Sequence, residues 1–205
     1  MSGYIGINLR DIINDDTLGE SAAKDILSSF SCPMNQDVEH FLKHTAIEFT
    51  KQSISSTYLI MASYKKEYVL VGYFTLANKI FCIDKDGLPN KSWKKRIAKF
   101  GQFDSTIHRY TISAPLIGQL GKNYNNSYNK LITGDELLKL ALDKVREMQN
   151  IVGGKIVYLE CENKEKLLDF YTQNGFVNFG SRKLDKDETY KLTGDALIQM
   201  LKYLN

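Results

Sequence analysis

The stretch from Lys155 to Phe179 constrains the fold of this chain more than any other part of the sequence. It holds an apolar run, a short amphipathic segment that carries Tyr171, a glycine at position 175 and a second apolar run. The pattern predicts a strand, a helix over 163–174 that ends at Gly175, and a strand that begins at Phe176. A phenol just before a helix-ending glycine, between two strands, is an unusual placement.

The bulk properties indicate an ordinary soluble globular protein. The 205 residues can bury a sizeable core, and we expect one domain over 1–205. The formal net charge of +3 points to no partner by itself. No stretch approaches the roughly 20 apolar residues of a membrane span, and the N-terminus lacks the pattern of a signal peptide. Three cysteines without metal or disulfide spacing fit a reducing cytoplasm, where we place the protein. His40 and His44 lack a third ligand, so no metal site is expected.

Periodicity predicts the remaining elements. A helix is expected over 18–30, a hairpin over 56–63 and 68–77, a long strand over 106–120 and a capped helix over 133–149. Residues 185–205 are expected to form a last strand over Glu188–Leu192 and a terminal helix over Asp195–Leu204. This order predicts an α/β (α+β) domain with a mixed, mostly antiparallel sheet flanked by helices.

A basic helix is predicted after the Gly- and Pro-containing loop at 84–90. Trp93, Ile97 and Phe100 form its apolar side, and the other side is cationic, with Lys91, Lys94, Lys95, Arg96 and Lys99. One interpretation is a solvated face over a buried tryptophan. The other is a phosphate-binding surface, because clustered cations attract nucleic acid regardless of its sequence. Lys51, Arg109 and Lys122 are further cations that could extend such a surface.

A polar loop leads into the strongest predicted helix, whose first turn contains Thr133 and Glu136 in capping-box spacing. The helix N-terminus presents backbone N–H groups at the positive end of its dipole, which suits a pyrophosphate. Gly134 would allow a ligand close to the backbone, and Asn129 and Lys130 add donors. An ordinary capped helix is the alternative interpretation.

Tyr171 also has two interpretations. It could be a core aromatic residue on the apolar face of its helix, beside Leu167 and Phe170. It could instead present its hydroxyl to a cleft at the sheet edge, because a buried phenol needs a hydrogen-bond partner.

Taken in this order, the loop, the helix and the Tyr171 segment resemble the GNAT N-acetyltransferases. In that family a Q/R-x-x-G-x-G/A loop cradles the pyrophosphate of acetyl-CoA, and a helix ending in Y-x-x-x-G-F follows downstream. Here Tyr171–Phe176 fits the second motif and Leu137–Leu142 fits the family's leucine-rich helix face. The loop falls on Asn129–Gly134, where Gly134 matches, Asn129 replaces Gln or Arg, and Ile132 replaces the first glycine.

Upstream segments, among them Phe30–Cys32, Val38–Leu42 and Ser56–Ala77, are similar to the GNAT toxins of toxin–antitoxin modules. Those toxins acetylate the α-amine of aminoacyl-tRNA and block translation. The resemblance covers the chain from about Phe30 to Gly180. It implies a GNAT-like domain with a splayed central strand, acetyl-CoA as co-substrate, charged tRNA as acceptor, an antitoxin partner and a homodimer.

The resemblance also implies roles for individual residues. Tyr171 falls on the general acid that protonates the leaving thiolate, and the backbone of the splayed strand falls on the donors to the oxyanion. The base stays open among His108, Glu160 and a water chain. The cofactor-binding residues implied are Leu120, Gly121, Lys122, Asn129, Lys130, Ile132, Thr133, Gly134 and Asp135.

Two alternatives remain beside acetyl transfer to charged tRNA. The first is a GNAT enzyme that acts on a small-molecule or protein amine. The second is a degenerate acyl-CoA- or RNA-binding module without catalysis, which the loss of a glycine at Ile132 would fit.

Overall fold

The computed structural model describes residues 3–185 and 194–204. Its strands are β1 (Tyr4–Asn8), β2 (Ser56–Tyr64), β3 (Glu67–Asp84), β4 (Gln102–Asp104), β5 (Arg109–Lys122), β6 (Ile156–Glu162), β7 (Val177–Lys183) and β8 (Ala196–Tyr203). Its α-helices are α1 (Leu9–Ile13), α2 (Gly19–Ser28), α3 (Gln36–His40), α4 (Ala46–Lys51), α5 (Lys91–Phe100), α6 (Gly134–Val152) and α7 (Glu165–Gln173). A π-helical turn (Phe41–Thr45) joins α3 to α4, and a 3-10 turn (Asn125–Lys130) precedes α6.

The predicted α+β class is confirmed, because the described strands pair mostly antiparallel and helices flank them. The chain forms two compact units, Met1–Ala77 with Ile117–Lys144 and Asn78–Leu116 with Val145–Asn205. A single domain over 1–205 and a splayed central strand stay predictions. Within the described ranges, no helix has the length and apolar character needed to cross a membrane.

In the first unit the strand order is β1-β2-β3-β5. The β2–β3 hairpin is confirmed, and its turn places Lys65 and Lys66 at φ 52 and φ 72. Positive φ at both central residues is the type I′ geometry that matches the twist of paired strands. Helices α1 to α4 supply the apolar side chains that pack around Leu59 and Tyr73. Three residues of this core, Phe30, Val38 and Tyr73, lie closest to Gly121 near the end of β5.

In the second unit the strand order is β3-β5-β6-β8-β7, with β4 also paired to β5. Its core contains Trp93 and Ile97 of α5 together with strand residues such as Tyr158 and Leu201. The predicted basic helix is confirmed, and Asn90 caps it by accepting a hydrogen bond from the N–H of Trp93 at 3.1 Å. Phe100, expected on the buried side, is 38% exposed.

The predicted terminal helix is wrong, because residues Ala196–Tyr203 form strand β8. This strand pairs antiparallel with β6 on one edge and with β7 on the other. Its backbone groups form hydrogen bonds with both neighbouring strands. In the sequence, a strand that is covered on both faces is a nearly continuous apolar run. Such a run cannot be told from a buried helix by periodicity alone. The strand expected over Glu188–Leu192 lies outside the described residues.

Candidate active site

Thr133 caps the N-terminus of α6 through the predicted capping box. The N–H of Glu136 donates to Thr133 Oγ1 at 3.1 Å. The Glu136 carboxylate accepts from the N–H and the hydroxyl of Thr133, each at 2.8 Å, and these bonds hold the pKa of Glu136 below its usual value. The box does not use the N–H of Gly134, the first residue of the helix. The positive end of the helix dipole therefore still presents a donor to an anion.

Ile132 stands where the family pattern has a glycine, and its side chain is only 2% exposed. It packs into the protein interior, so it does not cover the outer surface of the loop. Its buried side chain fixes the loop to the core. Thr133 beside it is exposed, and the Ile132 side chain does not prevent a phosphate from reaching it.

Side chains from two strands hold the carbonyl groups of this loop. Lys122 Nζ at the end of β5 donates to the carbonyl oxygens of Asn129 (3.1 Å) and Ile132 (3.3 Å). The Tyr4 hydroxyl on β1 donates to the carbonyl of Leu131 at 2.9 Å. The structure thus brings together the end of β5 and the predicted pyrophosphate loop, and it gives the Lys122 side chain a role that the sequence did not indicate.

The end of β5 is crowded on one side by α3. A Cβ on Gly121 would lie 2.4 Å from Val38 Cγ1, so only glycine fits there. Beyond it, the fully buried Asn123 donates to the carbonyl of Leu70 (2.8 Å) and accepts from the N–H of Ser31 (2.9 Å). These contacts fix the backbone of Leu120, Gly121 and Lys122, which is the segment that the family resemblance assigns to the oxyanion.

Tyr171, in the second unit, is buried at 7% exposure on α7. Its ring meets those of Phe170 and Phe176 edge-on, at centroid distances of 5.1 Å and 5.7 Å. Burial raises the pKa of Tyr171 well above the ordinary tyrosine value, and the nearby Cys161 adds to the increase. Among the described residues, none accepts a hydrogen bond from its hydroxyl. Tyr171 is therefore a protonated phenol whose donor is not used within the described part of the protein.

The turn after Tyr171 is held by its backbone and by Lys202. The N–H of Phe176 donates to the carbonyl of Tyr171 at 3.0 Å, and Gly175 adopts φ 78. From β8, Lys202 Nζ donates to the carbonyl of Asn174 at 2.5 Å, where a cation complements the C-terminal end of α7. Burial lowers the pKa of Lys202, with Arg146 as the second cause. The predicted glycine stop is confirmed, whereas Lys202 could not be found from sequence because its strand was mispredicted.

The two candidate base side chains have different surroundings. Both carboxylate oxygens of Glu160 already accept hydrogen bonds, one from Arg182 Nε at 2.5 Å and one from Gln199 Nε2 at 2.8 Å. Glu160 lines a cavity of about 790 Å³ in the second unit. His108 is exposed in the turn between β4 and β5, with φ 54. Glu160 already accepts two hydrogen bonds and His108 is exposed to solvent, so neither is a sheltered side chain that is free to accept a proton.

The cations of α5 divide into two groups. Lys94 pairs with Asp86 at 3.3 Å, and the Arg96 guanidinium lies over the rings of Trp93 (5.3 Å) and Tyr203 (4.7 Å). The other three are exposed at spacing i, i+4, i+8 and make no ion pair with any described residue; they are Lys91, Lys95 and Lys99. We call these three the α5 stripe. Like charges at this spacing destabilise a helix slightly.

The additional cations considered in the sequence are engaged elsewhere. Lys51 pairs with Glu20 (3.1 Å) and Glu48 (3.2 Å), and Arg109 pairs with Asp84 (2.9 Å). The rings of His40 and His44 lie 4.7 Å apart. The described part of the chain holds no cluster of side chains that could ligate a metal ion.

Comparison with known proteins extends the resemblance to the fold. No family model matches the sequence, and no curated protein matches it either. Among solved structures, AtaT complexed with acetyl-methionyl-tRNAfMet is similar at a TM-score of 0.61 and 20% identity, covering 95% of this chain and 93% of that one. A tyrosine-to-phenylalanine mutant of KacT is similar at a TM-score of 0.60 and 17% identity, covering 96% and 94%.

A third similar structure is a tyrosine-to-phenylalanine mutant of the AtaT toxin bound to the C-terminus of the antitoxin AtaR and to acetyl-CoA. Its TM-score is 0.55 at 18% identity, covering 96% of this chain and 92% of that one. Over nearly its whole length, the chain has the fold of these toxins.

Proposed function

We propose that this chain is an acetyl-CoA-dependent N-acetyltransferase that acts on the α-amine of aminoacyl-tRNA. The observation that carries the proposal is Tyr171 at the Y-x-x-x-G-F position of a chain with this toxin fold. It is a buried and protonated phenol with no acceptor among the described residues. The similar structures include AtaT with an acetylated aminoacyl-tRNA and an AtaT mutant with acetyl-CoA, which support the same chemistry here.

The residues around α6 fit the pyrophosphate of acetyl-CoA. The exposed Thr133 and the N–H of Gly134 offer donors at the positive end of a 19-residue helix. Lys130 is exposed beside them and adds positive charge. The side chain of Ile132 is buried, so it does not block the outer surface of the loop although it replaces a glycine. Asn129, Lys130, Ile132, Thr133, Gly134 and Asp135 would together form the phosphate-binding segment.

When bound, acetyl-CoA supplies a thioester whose carbonyl carbon the amine attacks, forming a C–N bond and releasing a thiolate. We assign the backbone of Leu120, Gly121 and Lys122 to the oxygen that becomes negative in the transition state. Because Val38 and Asn123 fix this backbone, its donors need little reorganisation.

Tyr171 donates its hydrogen bond to the leaving sulfur. Burial raises its pKa above 10, whereas an ordinary thiol has a pKa of about 8.5. Complete proton transfer from this phenol to a thiolate is therefore uphill, and stabilisation by a strong hydrogen bond is the favoured form of catalysis. The proton lost by the amine then reaches solvent, since Glu160 and His108 are not presented as sheltered bases.

The α5 stripe is our proposed contact with tRNA phosphates. Its three lysines repeat about every 6 Å along the helix axis, given a rise of about 1.5 Å per residue. Unpaired, aligned cations carry an electrostatic cost that binding a polyanion would remove. We take Lys94 and Arg96 as secondary contacts, because each already has a partner.

Acetylation of charged tRNA with radiolabelled acetyl-CoA tests the proposed function directly. We expect label on aminoacyl-tRNA and none on uncharged tRNA. Transfer only to small-molecule or protein amines would establish the first alternative. Calorimetric binding of acetyl-CoA without any transfer would establish the non-catalytic module.

The salt dependence of tRNA binding tests the α5 stripe. The triple variant Lys91→Gln/Lys95→Gln/Lys99→Gln should bind tRNA at least tenfold more weakly at low salt and reduce the slope of log affinity against log salt by about 2. The matched control carries glutamine at Lys24, Lys65 and Lys66, which are exposed elsewhere. Equal slopes in both variants would contradict the assignment.

We further propose a cytoplasmic protein, because charged tRNA is a cytoplasmic substrate. The AtaT structure with the C-terminus of AtaR supports an antitoxin as partner. A homodimer and a single functional domain over 1–205 complete the proposal, and sedimentation velocity tests the dimer.

A further inference from the structure

The loop before α6 has lost a family glycine but has gained side-chain contacts to its carbonyl groups. Lys122 Nζ donates to two of its carbonyls, those of Asn129 and Ile132, and the Tyr4 hydroxyl donates to a third, that of Leu131. Lys122 lies 7 and 10 positions before its two acceptors, whereas Tyr4 is 127 positions away from its acceptor. The loop conformation is thus held from beneath by β1 and β5.

These contacts determine where the N–H groups of the loop point. In a trans peptide the C=O and the following N–H point in opposite directions. A carbonyl of Asn129 that faces Lys122 therefore turns the N–H of Lys130 to the other side of the loop. The carbonyl of Leu131, bound by Tyr4, likewise orients the N–H of Ile132.

The Tyr4 hydroxyl keeps its proton over the physiological range. Burial raises the pKa of Tyr4, and the neighbouring Glu136 raises it further. The partly buried lysine has two carbonyl acceptors and also places positive charge beneath the loop. Glycines allow a phosphate-binding loop to adopt its conformation, whereas here two side chains select the conformation directly.

We propose that Lys122 and Tyr4 are positioning residues for the pyrophosphate of acetyl-CoA, because they orient the peptide groups of the loop in place of the missing glycine. This inference rests on the proposed function. It gives Tyr4 a role in cofactor affinity, and it gives Lys122 a role through its side chain in addition to its backbone. The side chains of Lys122 and Tyr4 do not touch the reacting thioester in this scheme.

The test compares acetyl-CoA with S-acetylpantetheine, which keeps the thioester but lacks the pyrophosphate. Lys122→Met should raise the Kd of acetyl-CoA about tenfold, and Tyr4→Phe should raise it about threefold, since each removes hydrogen bonds of ordinary strength. The Kd of S-acetylpantetheine should stay unchanged in both variants, and Tyr4→Phe should also keep the kcat at saturation. Lys122→Arg should recover part of the affinity because it keeps a cationic donor. Tyr68→Phe, at an exposed tyrosine, is the matched control.

The outcomes separate this inference from the proposed function. Equal weakening of both ligands would show a merely structural role and overturn the inference. Unchanged affinity of both variants for acetyl-CoA would overturn it as well. Failure of the wild-type protein to bind either ligand would instead remove the proposed function. If Lys122→Met does not fold, Tyr4→Phe still decides, because it deletes one hydroxyl only.

Discussion

The turn after Tyr171 and the loop before α6 are the two segments on which the proposed chemistry depends. The turn matches the Y-x-x-x-G-F motif, with Gly175 at φ 78 and a backbone hydrogen bond from the N–H of Phe176 to the carbonyl of Tyr171. The loop departs from the family pattern and is held by the side chains of Lys122 and Tyr4. Backbone contacts and the side chain of Lys202 from β8 hold the first segment, whereas side chains from β1 and β5 hold the second.

The largest expected effect comes from placing a glycine at position 132 of the loop, where the GNAT pattern has one. Ile132→Gly removes a buried side chain and adds backbone freedom, which should lower the free energy of unfolding by about 3 kcal/mol or more. Acetyl-CoA should bind no more tightly, because Lys122 and Tyr4 already orient the loop. Urea denaturation and calorimetry measure the two quantities.

The control for this change is Ile107→Gly, at an isoleucine that is 53% exposed in a turn. It should cost much less stability. Tenfold tighter binding of acetyl-CoA by Ile132→Gly would show that the isoleucine obstructs the loop. The loop would then have lost affinity with its glycine, and Lys122 and Tyr4 would not compensate for that loss.

Tyr171→Phe should have the next largest effect, on catalysis instead of stability. Loss of the hydroxyl should lower kcat by about 10² or more, whereas the Kd of acetyl-CoA should stay within twofold. Rapid-quench measurement of acetyl transfer separates the chemical step from binding. Near-normal turnover would show that the phenol is only a core aromatic residue, which is the alternative interpretation of its sequence context.

The sequence could predict those structural features that depend on residues adjacent to one another in the chain. The β2–β3 turn, the Thr133–Glu136 capping box and the glycine stop at Gly175 each depend on a few adjacent positions. Strand β8 was mispredicted because its conformation depends on pairing with β6 and β7. The roles of Tyr4 and Lys202 were missed for the same physical reason, since their acceptors lie 127 and 28 positions away. A hydrogen bond from a distant side chain to a loop carbonyl leaves no recognisable pattern in the sequence of the loop.

The smallest expected effect is the pH dependence of the Tyr171 contribution. Burial raises its pKa, so ionisation is disfavoured and the hydroxyl stays protonated at least up to the ordinary tyrosine pKa of about 10. The neighbouring Cys161 has a pKa raised to about 11, chiefly by burial, so it adds no negative charge in this range. The ratio of wild-type to Tyr171→Phe transfer rates should therefore be constant from pH 6 to about pH 9.5, even as both rates rise with deprotonation of the amine.

An amide-linked aminoacyl-tRNA analogue makes this measurement practical, because the natural ester hydrolyses in base. A ratio that falls tenfold between about pH 8 and 9.5 would mean that Tyr171 loses its proton early and that its surroundings stabilise the phenolate. The turn after Tyr171 would then resemble the loop before α6, because groups outside the turn would set the pKa of Tyr171. A flat ratio would keep the two segments distinct, since burial among Phe170 and Phe176 is enough to hold the proton where the leaving sulfur needs it.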